Sequence, residues 1–175
     1  MDDDIQSRQY LTFTLDQEAY ALPITQVREV LELTEITRVP RTPQAMRGVI
    51  NLRGHAVAVA DMRAKFSLPV AEDTVNTCII IAEADLGDGP TVLGALVDAV
   101  REVVDIESIA VEPPPRMGLA VDTAYLKGMA RQEDGFVMIL DLDRIFTAED
   151  VLGATEPLPG QAAAAAKAAP APPAP

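Results

Sequence analysis

Arg53 and Glu29 are the charged side chains of this 175-residue sequence expected to make a defined contact. A guanidinium is planar and holds a carboxylate through two parallel hydrogen bonds, which a lysine cannot reproduce. Arg53 and Gly54 interrupt the apolar stretch MRGVINLRGHAVAVAD, from Met46 to Asp61, and read as the turn of a β-hairpin, with Gly54 supplying the positive φ that such turns need. Glu29 is expected on the exposed side of a short helix in the same half of the chain, within reach of Arg53. The plain alternative for Arg53 is a solvated turn residue. Other chemistry has little to work with. One cysteine excludes an internal disulfide, and one cysteine with one histidine cannot build the usual zinc sites. Cys78, in the run CIII, reads as a small core residue, and His55 has no second histidine beside it. No serine sits in a nucleophile-elbow motif, so neither catalytic residues nor a metal or cofactor is expected.

Charge narrows the partners. A formal net charge of −13 repels phosphate backbones and anionic lipid surfaces, leaving proteins as the expected partners rather than nucleic acid or membrane. The acidic start, MDDDIQSRQ, is unlike a secretory signal, and apolar runs such as the one from Cys78 to Ala82 are too short to span a bilayer. A cytoplasmic location without membrane insertion follows as an expectation.

The elements that must hold Arg53 and Glu29 are short. Residues 1–8 are polar, acidic and expected to be disordered. Leu11, Phe13 and Leu15 alternate with Thr12 and Thr14 as a strand, a turn follows, and an apolar strand resumes from Tyr20 to Ile24. Pro23 then opens the expected two-turn helix, with Ile24, Val27 and Leu31 on one face. A crossing with two prolines, TEITRVPRTPQA, leads into the hairpin, where Gly48 is expected to serve structurally with Gly54 in the turns. Val57 and Val59 point to one face of the second strand, and Ala56, Ala58 and Ala60 to the other.

The order of elements then repeats. VREV occurs at Val27 and again at Val100, 73 residues on, with Val97, Val100 and Val104 repeating the helical face. LKGMA from Leu126 matches MRGVI from Met46, and VMILDLDRIF from Val137 matches VAVADMRAKF from Val57, both 80 residues on. The excess of seven residues is expected in the proline-rich crossing around Glu112 to Arg116. This gives a mainly β chain of two small, duplicated barrels with short connecting helices, the copies covering about 9–74 and 75–152 and their strands open to exchange between the barrels. The second copy carries Glu133 and Asp134 in place of Arg53 and Gly54. Residues 153–175, rich in alanine and proline, are expected to form a disordered tail.

GVINLRG from Gly48, the strand VAVADMRAKF, YLKGMA from Tyr125 and DGFVMILDLDRIF from Asp134 together resemble the chemotaxis coupling family, CheW. The resemblance covers roughly Gln9 to Val151 and implies two SH3-like five-stranded barrels. It implies a non-enzymatic adaptor that binds the regulatory domain of a chemotaxis histidine kinase and the cytoplasmic tip of a methyl-accepting chemoreceptor. Recruitment to membrane-associated receptor arrays follows from it. Family positions for receptor coupling carry over onto Val27, Glu29, Arg53 and Val103. A related scaffold serving surface motility or second-messenger control would use the same residues, and a small-molecule-binding barrel is a further alternative.

Overall fold

Alternating and β-branched residues build eleven strands among the described residues. They are β1 (Ser7–Leu15), β2 (Glu18–Pro23), β3 (Val27–Glu32), β4 (Met46–Leu52), β5 (His55–Asp61), β6 (Cys78–Asp85), β7 (Pro90–Val97), β8 (Ala99–Glu107), β9 (Val111–Glu112), β10 (Leu126–Gln132) and β11 (Gly135–Leu140). Two single-turn helices, α1 (Met62–Lys65) and α2 (Leu142–Ile145), follow β5 and β11. The structure is a computed structural model, and it describes residues 7–40, 45–86, 89–107, 110–113, 123–132 and 135–146. The expected loose residues 1–6, the turn at Glu133 and Asp134, most of the proline-rich insertion and the tail lie outside these. β1 begins at Ser7, two residues inside the stretch expected to be disordered.

One sheet has the order β8-β1-β2-β11-β10-β9 and the other β3-β6-β7-β5-β4. Substituting each strand by its counterpart in the other copy turns the first five strands of one order into the second, so each sheet takes strands from both halves of the chain. The ladders agree residue by residue. Leu11 pairs with Leu22 and Val103, and Ile80 pairs with Ala95 and Val30. Gly48 pairs with Val59 just as Gly128 pairs with Ile139. Both sheets curl. Residue Thr37, beyond β3, bridges Val49 of β4 through two 2.8 Å hydrogen bonds, joining the ends of the five-stranded sheet. β9, beyond β8, pairs with β10 in the same way.

The expected helices at the two VREV segments are strands. A single 3-10 turn, Ile24–Gln26, precedes β3, and β8 is extended throughout. Each segment carries one extra residue against its partner strand, seen as a register shift between Val27 and Glu29 and again opposite Leu11 and Phe13. A bulge of this kind resets the alternation and spaces apolar residues three apart, which mimics a helical face over so short a stretch. Pro23 ends β2 instead of opening a helix. Gly48 lies within β4, not at a turn, and what demands glycine there is the crossing chain: a Cβ would sit 2.2 Å from the Thr37 carbonyl oxygen, at φ +150°.

Three cores result. Tyr10, Ala21, Ile106, Ala130, Val137 and Ile139 fill the six-stranded barrel, and Ile50, Val57, Val59, Ile79, Ile81 and Leu96 fill the five-stranded one. Between the barrels, Phe13, Leu15, Tyr20, Leu22, Met138 and Leu140 of the six-stranded sheet share one core with Met46, Ile80, Leu93 and Val97 and with Ala58, Ala60, Ala82, Ala84 and Ala95 of the other. A row of rings, Phe13, Tyr20, Phe66 and Tyr125, runs through this layer with centroids 5.7 to 6.0 Å apart. Burial, then the nearby Glu18 and Asp16, pushes the Tyr20 hydroxyl up to about 12.

Candidate functional site

The β4–β5 connection has two residues, and both Arg53 (φ 52°) and Gly54 (φ 86°) take the left-handed conformation of a primed hairpin turn. The Asn51 side-chain oxygen accepts the Gly54 amide at 2.8 Å, which offsets the strain of a positive φ at an arginine. Glu29 stands on β3, at the opposite end of the sheet order, yet the curl of the barrel brings the two together. Arg53 Nη1 donates to Glu29 Oε2 at 2.6 Å, and Nη2 to Oε1 at 2.8 Å. The sequence-based pairing is therefore present, with Glu29 on a strand rather than a helix. Hydrogen bonding from Arg53 holds the Glu29 carboxyl below its ordinary value and raises the guanidinium in turn. Shielding of the pair is one-sided: the Arg53 side chain is 69% exposed and that of Glu29 28%. Water screens such a pair, so its orientation of the turn outweighs its energy.

Around it, Arg28 pairs with Glu83 at 2.9 Å, and Gln26 donates to the Glu83 carbonyl at 3.2 Å. Val27 is half-buried and packs with Ile24 and Val100 against the core between the barrels. Val103 stands on β8 in the other sheet and is 47% exposed. Val30, its counterpart on β3, is 40% exposed. Neither Val30 nor Val100 is among the residues expected to couple the receptor, although the VREV repeat contains both. Among the described residues no three His, Cys, Asp or Glu groups are placed to hold a metal ion, and no helix is long and apolar enough to cross a membrane. What the geometry presents is two duplicated outer strands, each with an exposed valine, and one arginine turn held by a glutamate.

A second ionic cluster clamps the barrels. Arg63 of α1, 16% exposed, donates from Nε to Asp98 at 2.8 and 3.1 Å, from Nη2 at 2.8 Å, and from Nη1 to the Pro69 carbonyl at 2.6 Å. Asp98 also accepts the Asp16 amide at 2.8 Å. Burial raises the Asp98 carboxyl, but the hydrogen bonds from Arg63 and the Asp16 amide outweigh it and hold the group below the usual carboxylate range.

Comparison with known proteins agrees with this architecture. The CheW-like domain family matches residues 9–150. The chemotaxis protein CheW of Klebsiella aerogenes is 30% identical over 144 residues, covering 82% of this chain and 84% of that protein. CheW of Bacillus subtilis is 31% identical over 141 residues, 79% of this chain and 86% of that one. The crystal structure of the scaffolding protein TtCheW from Thermoanaerobacter tengcongensis superposes with a TM-score of 0.74 at 34% identity, covering 83% of this chain and 96% of that one. With the duplicated SH3-like barrels and the GVINLRG turn in place, this chain belongs to the CheW-like family of chemotaxis scaffold and adaptor proteins.

Proposed function

We propose that the chain is a non-catalytic adaptor coupling the cytoplasmic tip of a transmembrane chemoreceptor to the regulatory domain of a chemotaxis histidine kinase, in the cytoplasm at membrane-associated receptor arrays. The observation that carries this reading is the match over nearly the full length of a solved scaffolding protein. Val27, Glu29, Arg53 and Val103 are the residues assigned to receptor coupling. Support comes from the exposure of Val103, a β-branched residue on an outer strand, and from the arginine turn held by Glu29. The test is capture of a purified receptor cytoplasmic fragment and a purified kinase regulatory domain by the immobilised chain. Both should bind, and Val103→Asp should lose the receptor fragment while keeping the kinase domain. Capture of neither by the unmodified chain would overturn the reading.

A further inference from the structure

The duplication gives the molecule two joints between its sheets, and they are held differently. Ladder register and the offset of the glycine-led strands set Asp98 against Thr25, Arg63 against Asp143, and Thr14 and Asp16 against Glu83 and Asp85. At the β7–β8 joint, Asp98 is fixed from both barrels. Its amide donates to the Thr14 carbonyl of β1 at 3.1 Å, and its carboxylate accepts the Asp16 amide of the β1–β2 turn at 2.8 Å. From the other barrel, Arg63 of α1, just beyond β5, places Nε and Nη2 on the same carboxylate, each within 2.8 Å. At the β2–β3 joint the equivalent atoms are used otherwise. Asp143 accepts the Asp85 amide at 2.8 Å, and the Glu83 carbonyl takes the Gln26 side chain at 3.2 Å. Thr25 is exposed, Gln26 Oε1 is buried without a hydrogen-bond partner, and among the described residues no charged side chain holds the link Ile24–Gln26.

What lies just beyond the joints is the surface assigned to receptor coupling. Val27 follows Gln26 directly, and Val100 stands two residues after Asp98; both pack against the core between the barrels. Val30 and Val103, three residues further along each strand, are exposed. β3 belongs to one sheet and β8 to the other, so the spacing of these valines is set by how the barrels are held together. A guanidinium with two of its nitrogens on one carboxylate fixes direction as well as distance. Its third nitrogen, Nη1, donates to the Pro69 carbonyl at 2.6 Å, which keeps the fork from turning.

We infer that Arg63 is a positioning residue for this surface: acting through Asp98, it fixes one barrel on the other and so sets the place of Val100 and Val103 relative to Val27 and Val30. The receptor role rests on the function proposed above; the placement of the valines does not. Two measurements on the full chain keep them apart. In a Cys78→Ser background, spin labels at Val30→Cys and Val103→Cys report the distance between the barrels by pulsed electron resonance. The parent should give one narrow distribution, Arg63→Ala a broad one, and Arg63→Lys an intermediate one, since an ammonium cannot hold Asp98 and the Pro69 carbonyl together. Asp143→Ala removes a hydrogen bond at the equivalent position of the other joint and should leave the distribution narrow. Without labels, the affinity for a purified receptor cytoplasmic fragment should fall about tenfold in Arg63→Ala, as it does when the competent arrangement drops to about a tenth of the population. Asp143→Ala should bind as the parent does, with circular dichroism at the same temperature showing each variant folded. A distribution in Arg63→Ala as narrow as the parent's, equal broadening in Asp143→Ala, or unchanged affinity in Arg63→Ala would each overturn the inference. A parent that captures no receptor fragment while the distances behave as described would overturn the receptor role and uphold the placement. Should Arg63→Ala fail to fold, Asp98→Asn, which keeps the shape and loses the charge, decides by the same two readings.

Discussion

Replacing Gly48 by alanine tests how the five-stranded barrel is closed. The added Cβ would lie 2.2 Å from the Thr37 carbonyl oxygen and 2.8 Å from its carbon, both backbone atoms, so the crossing chain must move away. That movement breaks the two 2.8 Å bonds between Thr37 and Val49, at about 1 kcal/mol each. Holding alanine at φ +150° adds about 1 to 3 kcal/mol, and the stiffer unfolded chain returns about 0.5 to 1. The net loss is about 2 to 4 kcal/mol, or a fall of about 5 to 15 °C in Tm for a domain of this size. The equivalent Gly128 has no positive φ, and its Cβ would meet the Val111 side chain at 2.6 Å and the Glu112 oxygen at 2.8 Å. Gly128→Ala should therefore cost less. Thermal and urea unfolding of both variants against the unmodified chain measure this. A Gly48→Ala melting temperature within about 2 °C of the parent, or a larger loss at Gly128, would refute the closure argument.

Three further outcomes follow from the contacts described. Arg63→Ala should cost about 2 kcal/mol at neutral pH, discounted for the water that reaches Asp98. Because the Asp98 carboxyl is depressed in the folded state, its contribution is present above the unfolded value of about 3.9 and is lost as pH falls through the lower folded value, so acid unfolding of the variant should lack that component; matching acid profiles would count against the clamp. Arg53→Ala and Glu29→Ala should each reduce receptor-dependent kinase activation more than thermal stability, with the double variant no worse than the worse single one. Fully additive losses in that cycle would mean the two side chains act independently. Ala82→Leu, fully buried in the core between the barrels, should destabilise by about 1 to 3 kcal/mol in urea unfolding, whereas Ala56→Leu, exposed on β5, should change little.

The hairpins and the repeat were legible because period-two alternation and the recurrence of VREV and of the glycine-led strands are local patterns. The helices expected at Val27 and Val100 failed for a local reason too: one bulged residue in six erases the alternation on which a strand assignment rests. α1 escaped notice although Asp61, whose carboxylate accepts the Arg63 and Ala64 amides at 3.0 and 3.3 Å, is a regular N-cap. The Arg53 and Glu29 contact was accessible because a tight turn fixes one partner. The equivalence of Thr12 with Ile81 was not, since Ile81 lies 69 residues on while β2 and β7 are offset by 73. The β6–β7 turn is thus four residues longer, a difference that a reading by motif does not register.

The links by which the chain passes between its two sheets are very short. From β2 to β3 it crosses in the three residues Ile24–Gln26, and from β7 to β8 in the single residue Asp98, itself gripped by Arg63. Such a joint has almost no slack. A partner that pulls on β3 pulls through the backbone on β2 in the other barrel, and one that displaces β8 displaces β7. Two bodies keyed together in this way act as a stiff lever, handing the position of whatever grips one end to whatever grips the other.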